Sequence, residues 1–207
     1  MNQIDPELQF FGSSVEADMK LEDLAQFLGV VDGFLRESAN RLSGETDGMG
    51  LDLSYAFAEP LPEILYASFI TSVVSFLERE AQGFAHVLRR ATDAPLGMAE
   101  LSGAWYDRFR KFCEKLAGLD LGLTEIDWAN LRGIVEVRNC LVHSGGQLSN
   151  FRGRANVEQF LARQGLPSPE EELLRADLQL SEVTLALTKA CIDSMYRAAL
   201  GKFPRTE

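Results

Sequence analysis

A chain of 207 residues has room for one compact domain with a real core, or for one domain and an appended arm. Its 46% hydrophobic and 25% charged residues exclude a disordered chain, and a formal charge of −11 excludes a protein that holds long duplexes through its overall charge. Cys113, Cys140 and Cys191 are too widely spaced for a disulfide framework or a Cys-x-x-Cys zinc site, which fits a reducing cytoplasm.

The opening residues are polar and acidic rather than basic and then apolar. The longest apolar run, 65–77, is broken by Ser and Thr and is shorter than the ~20 residues that span a bilayer. No membrane role is expected. Residues 1–14 read as a polar lead-in, frayed at its start. From 15 to 42, Met19, Leu21, Leu24, Phe27, Leu28, Val31, Phe34 and Leu35 recur near helical spacing and predict one long amphipathic helix, followed by a glycine-rich loop through residue 50. This helix packs on its own bundle in the simpler reading; a dimer or partner contact is the functional alternative.

Residues 51–62 read as an extended connector, because Pro60 and Pro62 stop a helix behind them and suit a helix start ahead. The segment 63–91 is apolar over too broad an arc for a surface helix and is expected at the centre of the bundle. Glu78 sits at the edge of its apolar stripe. Arg79 and His86 lie about 20° apart, two turns along one face, and read as solvated or partner-facing.

After a turn at 92–98, residues 99–117 predict a helix whose Leu101, Trp105, Phe109, Phe112 and Leu116 fit core packing better than a base-stacking platform. Thr124 and Asp127 resemble the two ends of a capping box, which starts the next helix near Glu125. That helix carries Trp128, Leu131, Ile134, Val135 and Leu141 inward and stops at Ser144, Gly145 and Gly146. Beyond it the chain is polar, with a short helix at 156–163, a proline turn at Pro167 and Pro169, a further helical turn at 170–174, and a last helix at 181–200. The pattern is all-α, with no internal repeat and no second domain.

Chemistry concentrates at the end of the 125–144 helix. Asn139 and His143 are four apart and share a face, so the amide can hydrogen-bond the imidazole and fix its tautomer. Arg138 lies about 140° round the helix from His143, on a stem long enough to curl toward a shared cleft. An imidazole, with a pKa of roughly 6.5, handles protons near neutrality, and a guanidinium fork matches phosphate oxygens. Together these groups can move a proton and hold the charge on a phosphate. Within 131–163, arginines 132, 138, 152, 154 and 163 stand against Glu136 and Glu158, five positive charges against two negative. An ordinary solvated loop gives the same count.

The run Arg138-Asn139-Cys140-Leu141-Val142-His143 resembles the Arg-to-His signature of HEPN domains, and the wider RNCLVHSGG resembles their large helical-bundle branch related to RiboL-PSP types. Arg79 and His86 have a similar spacing but lack the Asn after Arg, the aliphatic pair before His and the glycine exit. The resemblance implies a HEPN-like helical bundle of about five main helices, 51–207, with an N-terminal helical arm, 1–50, packed on it. It implies a dimer whose two motifs face one composite cleft. It also implies metal-independent endoribonuclease activity in toxin–antitoxin, abortive-infection or other defence systems.

Arg138, His143 and Asn139 would then be catalytic. Glu78 would orient Arg138 or a substrate group, with Ser144, Arg152 and Arg154 as further substrate contacts. Neither a metal nor a cofactor is called for; the partners are RNA, a second copy of the chain, and an antitoxin or defence protein. Two other readings stay open: a Cys140–His143 thiolate–imidazolium dyad, and a bundle that binds RNA, a nucleotide or a protein without chemistry.

Overall fold

Helix α1 (Pro6–Leu42) starts where the Asp5 carboxylate accepts the backbone N–H of Glu7 at 3.0 Å and Pro6 takes the first helical position. It therefore begins nine residues before the expected 15: apolar periodicity does not register an Asp-Pro start. The computed structural model describes residues 5–43 and 48–203, the side chains of 48–52 excepted. Among the described residues there are seven α-helices and no β-strand, an all-α helical bundle.

The segment expected as an extended connector is helical. Helix α2 (Gly48–Ala58) is followed at once by α3 (Pro60–Thr92). Both prolines fall in the first turn of α3, where no intrahelical N–H donor is needed, so they punctuate two helices rather than forbidding them. The expected glycine-rich loop lies partly outside the described residues, and Gly48 already belongs to α2.

The helix expected over 99–117 is shorter. A single 3-10 turn, Met98–Glu100, comes first, and Gly103 at φ 113° holds the chain out of helix until α4 (Trp105–Lys111), which runs on into a π turn, Phe112–Leu116. Helix α5 (Glu125–Ser144) opens on the expected capping box: the Thr124 N–H donates to Asp127 Oδ2 at 2.8 Å and the Asp127 N–H donates back to Thr124 Oγ1 at 3.3 Å. Helices α6 (Arg154–Gln164) and α7 (Leu178–Lys202) complete the order. The expected helical turn at 170–174 is absent, because Glu171 and Glu172 take φ of 48° and 62°, the left-handed region that breaks a right-handed turn.

Internal contacts divide the chain into two units. The first holds the described parts of 1–21, 75–132 and 186–207. Its core is aromatic: the Phe84 ring lies 5.2 Å from Phe10, 6.0 Å from Phe109 and 5.6 Å from Tyr196. Trp105, Phe109 and Phe112 are buried, so the aromatic stripe is core, as its spacing implied. Lys202 donates to the carbonyls of Ala117 and Gly118, both at 2.7 Å, and so satisfies the end of the π turn.

The second unit holds 22–74 and 133–185, with the same exception for undescribed residues. Leu28, Leu35 and Leu42 of α1, seven apart, are buried here, as are Phe69, Ile70 and Val73 of α3 and Ile134 and Val137 of α5. Gly133 lets α5 and α6 close up: a methyl group there would sit 2.5 Å from the Phe160 ring. Tyr66 donates to Asp32 at 2.8 Å, and burial together with that carboxylate raises its phenol to about 12. The stretch Leu53–Thr92 is long and apolar enough, by length and composition, to cross a membrane, yet its Ile70, Val73, Leu77 and Leu88 are buried core residues.

Candidate functional site at the end of helix α5

Helix α5 ends as its sequence implied. Gly145 and Gly146 take φ of 56° and 83°, and the Gly146 N–H reaches back to the Cys140 carbonyl at 3.1 Å, closing the last turn. A strap then fixes the exit: the Leu174 N–H donates to the Gly146 carbonyl at 2.9 Å, and the Leu148 N–H donates to the Glu172 carbonyl at 2.8 Å. The left-handed residues that replaced the expected helical turn belong to this strap.

Substituting Gly146 by alanine is therefore expected to be costly. The left-handed backbone alone disfavours a side chain by about 1–2 kcal/mol, and the new Cβ collides with the carbonyl oxygen of Leu174, the residue whose N–H donates to Gly146 in the strap. The same change at Gly145, which has nothing within 4 Å, meets only the backbone term. Urea unfolding of the two variants should rank them in that order; equal losses contradict the strap's role.

On this fixed end His143 is exposed, with Arg138, Asn139 and Ser144 half-buried. All four lie in the last two turns of one helix, with Arg138 about 140° round it from His143 by helical geometry. No side-chain hydrogen bond joins Asn139 to His143 among the described residues; the shared face sets them near one another, and the amide is left to meet a ligand or solvent.

Two further arginines come in through the chain after the strap. Gly153 packs its bare α-carbon against the Glu136 carboxylate and the Phe151 ring, seating the start of α6 on α5 two residues before Arg138. Arg152 in this loop is exposed. Arg154 is committed to carboxylates, with Nε 2.7 Å from Glu158 and Nη1 2.6 Å from Glu172, and both push its guanidinium above the usual arginine range. Glu172 lies outside the window that gave five positive charges against two, so the local excess is smaller than that count. Glu78 is half-buried on α3, in the first unit.

Cys140 is fully buried, its Sγ 3.8 Å from the Gln147 carbonyl, and burial pushes the thiol up to about 11. At neutral pH such a thiol is almost wholly protonated, which weakens the dyad reading. Cys140→Ser should leave any RNA cleavage unchanged, and Cys140 should resist iodoacetamide at pH 8 until the protein is unfolded; rapid alkylation of the native protein, or loss of cleavage in a folded variant, argues for the thiolate.

Sequence spacing passed over a second cationic group, His86, Arg89 and Arg108, which lines one cavity in the first unit. His86 and Arg89, three apart on α3, were the only local signal; Arg108 arrives from α4. The fold and the α5 end together define an all-α helical bundle carrying an Arg–His pair at the end of one helix. No family model, curated protein or solved structure matches the chain.

Proposed function

We propose that this protein is a metal-independent endoribonuclease of HEPN type, working in the cytoplasm as a homodimer in a defence or toxin–antitoxin setting, with an antitoxin or defence protein as partner. The observation that carries this reading is an exposed His143 and a half-buried Arg138 in the last two turns of α5, whose end is fixed.

In this reading the RNA 2′-hydroxyl loses its proton to His143 as its oxygen attacks the adjacent phosphorus. Arg138 holds the charge that builds on the non-bridging oxygens. The O2′–P bond forms, the P–O5′ bond breaks, and the departing oxygen takes a proton from an acid, a role that fits the second copy's imidazole. The products are a 2′,3′-cyclic phosphate and a 5′-hydroxyl. Asn139 positions base or phosphate, and Ser144 and Arg152 extend the contact to the RNA backbone. Arg154, held by two carboxylates, acts through the loop it anchors.

Incubation of the purified protein with mixed RNA, with and without EDTA, tests the class. Cleavage that persists in EDTA supports the proposal; RNA that is bound but left whole assigns the chain to the non-catalytic binders.

A further inference from the structure

The cavity of about 340 Å³ between the 3-10 turn, α3 and α4 in the first unit has no part in the proposed cleavage. Its polar lining is Gln82, His86, Arg89 and Arg108, and its apolar lining includes Ala85 and Met98. In a chain of net charge −11, two guanidiniums and an imidazole line this one hollow, with the Glu100 carboxylate held against the first of them, Arg89.

Each arginine is held differently. Arg89 is positioned by Glu100, with Nη1 3.3 Å from Oε2, and by the Pro95 carbonyl, 3.4 Å from Nη2, while its side chain stays 43% exposed. The same Glu100 oxygen accepts the Gly97 N–H at 2.6 Å, which ties the turn to the arginine. Gly97 leaves the space: a Cβ there would stand 2.8 Å from Arg89 Nη1. Arg108 has no carboxylate partner among the described residues, and its enclosed Nε finds no hydrogen-bond acceptor.

From this geometry we infer that the cavity binds a small organic phosphate, a phosphomonoester of mononucleotide size. A tetrahedral dianion offers oxygens to Arg89, Arg108 and His86 at once, where a carboxylate has only two. The cavity falls in the size range of small-molecule sites and exceeds what a bare phosphate fills, and Ala85 and Met98 suit the uncharged remainder of the ligand.

Calorimetric titration of the full chain with 5′-AMP, adenosine and inorganic phosphate, in a phosphate-free buffer, tests this. The expected result is saturable binding of AMP, at least tenfold tighter than either adenosine or phosphate. Arg108→Ala and Arg89→Gln should each weaken it tenfold or more. The Arg89 side chain is 43% exposed, so Arg89→Gln keeps the test informative if Arg108→Ala unfolds, and circular dichroism verifies both folds. No binding of AMP, equal affinity for adenosine or for inorganic phosphate, or affinity unchanged in folded Arg89→Gln overturns the assignment. The readout is binding alone, so it stands or falls separately from ribonuclease activity.

Discussion

His143→Ala is expected to lower ribonuclease turnover by about 10²–10⁴-fold, the usual worth of a positioned acid–base group, while leaving the fold intact. That range corresponds to about 3–5 kcal/mol of transition-state stabilisation. The fold should survive because the side chain is exposed and enters none of the hydrogen bonds that close α5; those run through the backbone of Cys140, Gly146, Leu148, Glu172 and Leu174. Arg138→Ala should reduce turnover to a comparable degree. Arg138 is half-buried, so its loss should also register in stability. Initial rates on one defined RNA, beside urea unfolding of each variant, separate the two effects. If His143→Ala cuts as fast as the parent while His86→Ala is inactive, the site lies on α3 and the assignment to α5 is wrong.

The largest loss of stability is expected at Phe84. The ring is 2% exposed and lies within 6.0 Å of three others, Phe10, Phe109 and Tyr196. Truncation of such a residue to alanine removes transfer free energy and leaves a cavity, about 3–5 kcal/mol in all, with the loss of the ring pairs adding to it. Against a total stability of roughly 5–15 kcal/mol, Phe84→Ala should shift the urea midpoint strongly or prevent folding. Phe84→Leu, which keeps most of the volume, should recover much of the difference. A near-neutral Phe84→Ala would mean that this aromatic cluster is not what holds the first unit together.

Legibility in the sequence followed the kind of signal each element carries. Helix α5 was readable end to end, because Thr124, Asp127, Gly145 and Gly146 act locally on the backbone. The core role of Trp105, Phe109 and Phe112 was readable from spacing. The start of α1 was missed because Asp5 and Pro6 cap a helix whose first turns are not apolar in a regular pattern. Helix α2 is not legible because a proline marks the start of the helix ahead without showing what precedes it; here Pro60 separates two helices.

At the candidate site the sequence supplied Arg138, Asn139, His143 and Ser144 as neighbours on one helix. It did not supply the strap, since the pairing of Gly146 with Leu174 joins residues far apart in the chain through backbone atoms alone. Nor could it show Arg154 bound to Glu172, eighteen residues away. The cavity around His86 was hidden for the same reason: Arg108 is brought there by the fold and by no periodicity.

The most direct measurement is the cleavage of one RNA oligonucleotide in EDTA, set against the same oligonucleotide with 2′-deoxyribose at the cleaved position. The expected result is that the first is cut to a 2′,3′-cyclic phosphate and a 5′-hydroxyl, and that the second stays whole at that bond. Cutting of the deoxy substrate at the same bond, or RNA left intact by well-folded dimeric protein, would contradict it.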